Sequence, residues 1–456
     1  MSGLAAAPVR WARPSSANAS PDERVDAGRA MHALIAELYP ICRSITGDGF
    51  RQTLRRLRRL LPLDVHEVPT GTQVLDWTIP SEWNIRDAYV KNSRGERVID
   101  FQSSNLHVLN YSIPIHRTVS LAELRAHCHT LPDLPDWIPY RTSYYAESWG
   151  FCLSQRQLDA LPEDEYEVRI DSTLKPGHLT YGELAIPGAQ PNANEILISC
   201  HACHPSLCND NLSGVVVATF LAQALSAEAS EGRKRRHTYR FLFIPGTIGS
   251  ITWLARNEPA VARIKHGLVL ASVGDSGFIH YKQSRRGNAE IDRATAHVLR
   301  HSDEPFEIIP FTPYGYDERQ YCSPGFDLAV GCLSRTPWGR YPEYHTSADN
   351  LDFVRPESLA HSFTIARGIF DVLDGNATYT NLFPKGEPQL GRRGLYSPVG
   401  GQSNGKFNEM ALLWVLNQSD GRHSLLDIAE RAELPFAEIR HAADRLAAQG
   451  LLKEEL

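Results

Sequence analysis

The opening stretch of the chain lacks both the unbroken apolar length of a membrane span and the layout of an export signal, because MSGLAAAPVRWARPSSANASPDE is interrupted by proline and arginine. A cytoplasmic protein that does not enter membranes is the expectation. Positive charge is not in excess either. The 47 Lys and Arg against 53 Asp and Glu leave a net of −6, which argues against a nucleic-acid partner. Eight cysteines in 456 residues are too few for a disulfide scaffold, although Cys200, Cys203 and Cys208 crowd into nine positions. The Gly-x-Ser-x-Gly, Gly-x-Gly-x-x-Gly and Walker patterns are absent, removing the usual sequence arguments for an esterase elbow, a dinucleotide site and an NTP site.

What is present is the composition of a folded protein, 42% hydrophobic and 22% charged, with length for two to four domains at roughly 100–200 residues each. Residues 1–22 are rich in Ala, Pro and Ser and read as a loose tail. Residues 75–155 carry many aromatics and short strand patterns, and read as a small β-rich domain. The runs DWTIPSEW and IPYRTSYY within it could pack as an aromatic core or line a cleft. On either side lie 23–74, with amphipathic helical stretches, and 156–376, with alternating strand and helix signals. NEILISC, YRFLFIPG and KHGLVLASVG read as buried strands between helical stretches, which predicts a mostly parallel sheet with helices on both faces. Residues 377–410 have linker composition, and 411–456 read as a winged-helix-like module. That module carries five basic and eight acidic residues, a balance that repels phosphate and favours packing or protein contact over DNA.

The densest polar signal is ISCHACHPSLCNDNLSG. An apolar strand delivers His201 at its carboxyl end, where open α/β sheets place ligands, and the following loop presents His204 and Asp210. Imidazoles and a carboxylate at that spacing suit zinc, and the flanking asparagines could orient the carboxylate. Cys200 should continue the strand and point opposite to His201. A second cluster, PEYHTSADNLDF, offers His345, with Asp349 and Asp352 as groups to fix its tautomer or cap local turns. Asp275, just after another apolar strand, is either an acidic ligand or ligand-orienting residue, or a strand-end cap. The string Gly274-Asp275-Ser276-Gly277 is a superficial match to a serine-peptidase segment, and Phe278 breaks it.

The segments DWTIPSEW, LHVLNYS, YRTSYYAESWGFC, HPSLCNDNLSG, FIPGTIGSI, DERQYCSPGFDL and PEYHTSADNLDF together resemble a bacterial family of aminopeptidase-like proteins, often labelled as polysaccharide-biosynthesis proteins, whose core is similar to the co-catalytic zinc aminopeptidases. The resemblance runs from about residue 25 to the end. It implies an interrupted peptidase-like domain, a winged-helix module, one or two zinc ions, and a small peptide or amino-acid conjugate as substrate, with homo-oligomerisation left open. It also implies zinc ligands at His201, Asp210, Asp275 and His345, with His204 alternative or additional. The family's Pro-Glu-Thr-Ile-Gly-Ser is here Pro-Gly-Thr-Ile-Gly-Ser, so Gly246 stands where a catalytic glutamate belongs. Glycine neither takes a proton nor binds metal. Asp317 and Glu318, in YGYDERQY, are the carboxylates expected to compensate, against the plainer reading of a loop salt-bridged to Arg319.

Overall fold

The structure, a computed structural model, describes residues 21–395 and 409–455. Residues 1–20 of the expected tail and 396–408 of the expected linker lie outside the described residues. The chain divides into two compact units, the first comprising residues up to Gly287 with Phe306–Thr364, the second Asn288–Pro305 with Ile365–Leu456.

The first unit is organised by an eight-stranded sheet. In spatial order its strands are Asp64–Pro69, His178–Ile186, Thr238–Ile244, Glu195–His201, Ile264–Leu270, Val330–Ser334, Ile279–Lys282 and Phe306–Ile309. The four central strands, Thr238–Ile244 to Val330–Ser334, run parallel; the strands that flank them on either side, His178–Ile186 and Ile279–Lys282, pair antiparallel, and the last pair, Ile279–Lys282 with Phe306–Ile309, is parallel again. Every residue of Glu195–His201 is buried, as a strand covered on both faces requires. The helix after it, Gly214–Ser230, is apolar nearly all round and mostly buried. With its preceding turn, Cys208–Ser230 is long and apolar enough to cross a membrane. However, 72% of that window is buried in the fold and it opens on buried Asn209 and Asp210, which makes it a core helix.

Between the first two of these strands the chain builds an antiparallel sheet in the order Arg97–Asp100, Glu82–Lys91, Glu165–Lys175, Ile115–Ser120. The β-rich insertion therefore reaches past residue 155. Glu165–Lys175 alternates in burial as a strand does, but which sheet it joins depends on pairings such as Trp83↔Leu174 and Val119↔Tyr166 that no local pattern encodes.

In the second unit Thr378–Asn381 is the central strand of a three-stranded sheet, flanked by Asp420–Ser424 and Leu452–Glu454. Helices Glu409–Gln418, Leu425–Ala432 and Phe436–Ala448 complete it, the second opened by a Ser424/Asp427 capping box. The module thus begins near residue 377, inside the expected linker. Four residues of sequence TYTN beside a Pro- and Gly-rich stretch are too short a pattern to reveal it.

Candidate metal centre

His201 ends the central parallel strand, and the chain then turns through a fully buried segment, Cys208–Ser213. A buried turn must have its backbone groups satisfied. Asp349 does this: its carboxylate accepts from the N–H groups of Asn209 (2.5 Å) and Asp210 (2.9 Å), and its carbonyl accepts from Cys208 N–H (3.1 Å). Asn211 ties the same turn to the sheet, donating to the carbonyls of His201 and Leu270 and accepting from Gly214 and Ser272 N–H. Asp210 is held in this way with its carboxylate among three imidazoles. His201 Nε2 lies 2.8 Å from Oδ1, His345 Nε2 3.0 Å from Oδ2, and His204 Nε2 3.9 Å from Oδ2. One donor atom each from His201, His204 and Asp210 lie within 4.8 Å of one another.

His345 reaches the cluster from a loop and holds a left-handed backbone, φ 56°. The inserted domain secures that conformation. Tyr140 N–H donates to the His345 carbonyl (2.7 Å), and Ile138 exchanges hydrogen bonds with Ser347. Tyr140 also sets its ring 5.1 Å from both His204 and His345, while Tyr344 stacks on His345 and Tyr316 on His201. His204 is anchored from behind by Arg43, a fully buried guanidinium that donates to the carbonyls of His204 (2.8 Å) and Leu38 (2.6 Å). Arg43→Met should release the His204 loop and weaken zinc binding about 10–100-fold, measured by competition with a chelator, because groups that orient ligands typically contribute that much.

The electrostatics suit a cation. Burial alone would raise the Asp210 carboxyl, but the surrounding imidazoles outweigh it and hold the group well below the usual carboxylate range. Burial lowers His204 to about 3, so its ring is neutral and has a lone pair to give. Asp210 Oδ2 and His345 Nε2 face each other at 3.0 Å, yet each is buried without a hydrogen bond. Two orphaned groups at that separation are costly unless something positive sits between the ligands. Three imidazoles and one carboxylate are the donor set zinc takes. The residues present therefore fit the metal.

Asp275, expected as an acidic ligand or ligand-orienting residue or as a strand-end cap, is engaged by protein donors. Asn209 Nδ2, Gly277 N–H, Thr336 N–H and the Thr336 hydroxyl occupy both of its oxygens, so it fixes the loop behind Asn209. The adjacent carboxylates at 317 and 318 diverge. Glu318 is committed through Oε1 to Lys282 Nζ, 2.8 Å away, and the salt bridge expected with Arg319 does not form. Asp317 accepts from the Ser250 hydroxyl at Oδ1 (2.8 Å), while its buried Oδ2 has no partner. That free oxygen lies 3.3 Å from where a Cβ on Gly246 would stand. Burial raises the Asp317 carboxyl to about 6.

The cysteines of the loop are buried, and the eight form no disulfide. Cys200 faces the core, as the strand period requires, and Cys203 Sγ lies 3.4 Å from His204 Nδ1, where it helps set the tautomer of that ring. Sequence reasoning missed Arg43, Ser250 and Tyr316. Only Tyr316, beside Asp317 in the polar YGYDERQY run, carried a signal.

Residues 32–376 match DUF4910, a domain of unknown function, and residues 377–454 match a winged helix-turn-helix. A protein of Clostridium acetobutylicum, named as a polysaccharide biosynthesis protein with aminopeptidase-like domain, is 51% identical over 94% of this chain and 97% of its own length. A crystal structure from the same organism, described as a peptidase, superposes with a TM-score of 0.89 at 50% identity, covering 95% of this chain and 98% of that one. The zinc aminopeptidase BSAP of Bacillus subtilis shares the fold, with a TM-score of 0.54 at 12% identity over 75% of this chain and 94% of its own. The protein therefore belongs to the DUF4910 family, with an aminopeptidase-like α/β fold followed by a winged helix.

Proposed function

We propose that the protein is a zinc-dependent hydrolase acting on an amide bond of a small peptide or amino-acid conjugate, with Asp317 supplying the base that a glutamate at position 246 would otherwise provide. The observation that carries this reading is the buried, unpartnered Oδ2 of Asp317 beside Gly246. His201, His204, Asp210 and His345 would hold the ion. Bound there, zinc supplies a Lewis acid for a carbonyl and a lowered water pKa.

The chain's own groups do the rest. Ser250 fixes Asp317 through Oδ1, leaving Oδ2 to take a proton from water and return it to the departing amine. A carboxyl raised to about 6 suits both transfers near neutral pH. Tyr140, Tyr316 and Tyr344 wall the imidazoles and limit water. With Asp275 spent on the loop and no carboxylate at 246, four donors remain, enough for one ion and too few for two. Metal analysis of zinc-loaded protein should give one zinc per chain.

The activity test is release of free amine from aminoacyl amides, lost on chelation and restored by zinc. Absence of turnover across such amides in fully zinc-loaded protein would contradict the proposal. It would favour a second reading, that of a catalytically degenerate ligand-binding member of a biosynthetic pathway, which rests on Gly246 alone.

A further inference from the structure

Beside the proposed centre lies a cavity of about 160 Å³, lined among others by Lys282, Tyr314, Tyr316, Glu318, Trp338 and Arg340. It is well below the roughly 300–1,000 Å³ of sites that enclose a drug-sized ligand, so it takes a single ring. Tyr316 belongs both to this cavity and to the stack on His201, ring centres 5.3 Å apart, so a single ring separates the cavity from the imidazole cluster.

Its polar floor is built and incomplete. Glu318 is 0% exposed, gives Oε1 to Lys282, and keeps Oε2 buried without a partner. Lys282 spends two of its three protons, on Glu318 and on the Tyr314 carbonyl, and its ammonium also lies 5.3 Å from the Phe311 ring centre, so one proton is left without a hydrogen-bond acceptor. An unused acceptor and an unused donor thus stand side by side. Gly315 keeps room for them: at φ 157°, a Cβ there would lie 2.2 Å from Glu318 Oε1 and 2.8 Å from Lys282 Nζ. At the mouth, Tyr314 and Trp338 are 60% and 41% exposed and meet edge to face with centres 4.9 Å apart, presenting aromatic surface outward.

The charges decide what this floor accepts. Lys282 neutralises Glu318, and Glu307 neutralises Arg340 through two bonds of 2.7 and 3.2 Å. A cationic ligand would meet the Lys282 ammonium 2.8 Å from the carboxylate it sought, and an anionic one would meet Glu318 itself. Neutral hydroxyls satisfy both orphan groups without adding charge, and the apolar face of a ring suits the aromatic mouth.

We infer that this cavity binds a neutral polyhydroxylated ring, a sugar unit, as the portion of the substrate beyond the scissile amide. The inference rests on the amide-hydrolase reading for its place in catalysis, but the binding itself can be measured without turnover. The experiment is a ligand-observed NMR titration of the full-length, zinc-loaded protein with N-acetylglucosamine, with glucosamine and alanine amide as cationic comparators. Saturable binding of N-acetylglucosamine is expected, at least tenfold weaker in both Glu318→Gln and Trp338→Ala at unchanged zinc content, and weaker for the two cations. Trp338 sits at the rim, so its variant keeps the test valid if Glu318→Gln does not fold. No saturable binding, equal binding by the Trp338 variant, or preference for the cations overturns the inference. Amine release from an aminoacyl amide by a protein that ignores the sugar leaves the hydrolase reading standing without it, and sugar binding by a protein inert toward every amide does the reverse.

Discussion

Asp317→Asn is expected to lower amide turnover by about 10²–10⁴-fold, the usual contribution of a general base, while zinc content stays at the wild-type level. The same substitution should stabilise the fold. Burial raises the Asp317 carboxyl from 3.8 to about 6, so between those values the folded chain keeps a proton that the unfolded chain has released. Stability therefore falls as pH rises through that window, and the deficit is fully present at pH 7. A shift of that size corresponds to on the order of 2–3 kcal/mol. Asparagine can keep its oxygen on Ser250 and carries no charge to bury. Urea unfolding of metal-free protein should show the variant more stable than wild type at pH 7 and little different near pH 4. Loss of activity together with loss of stability would instead mark Asp317 as a structural residue.

Restoring a glutamate separates the two readings of Gly246. If the position is simply empty, Gly246→Glu alone should create or greatly raise activity. The geometry predicts otherwise. A Cβ there stands 3.0 Å from His201 Cβ and 3.3 Å from Asp317 Oδ2, and a second carboxylate beside a buried one raises the cost of ionising either. Gly246→Glu alone should therefore leave turnover unchanged or reduced. In an Asp317→Ala background it should recover turnover at least tenfold over the single Asp317→Ala variant, because the carboxylate has then been moved rather than doubled. Recovery stays partial, since the contact with His201 remains. A large gain from Gly246→Glu by itself would show that Asp317 does not stand in for the missing base.

Periodicity and strand-end placement made the sheet and the His201 loop legible, because those signals are local, whereas His345, in a loop, gained weight only from its pairing with that loop and from the family resemblance. His201 ends a seven-residue run in which every position is buried, and the Asn-Asp-Asn turn follows within ten residues. What stayed hidden depends on distant pairings. Asp275 follows an apolar strand as a ligand would, but Thr336, some sixty residues on, claims its oxygens. Arg43 reads as an ordinary charged residue near a helix end, although it lies buried beneath the His204 loop 161 positions away. The insertion's strand at Glu165–Lys175 and the winged helix's strand at Thr378–Asn381 were misplaced for the same reason, since strand partners are chosen by tertiary register. The Gly246 substitution was visible at once. Asp317 could be named as its compensation, but only the fold separates it from Glu318, which turns away to Lys282.

The proposed centre holds one zinc ion on Asp210 among three imidazoles, with Asp317 as its base. Anomalous diffraction at the zinc edge from crystals of zinc-loaded protein tests it most directly. A single strong peak bounded by Asp210, His201, His204 and His345 is expected, with Asp275 still bound to Thr336. An absent peak, a pair of peaks, or a peak liganded by Asp275 would contradict it.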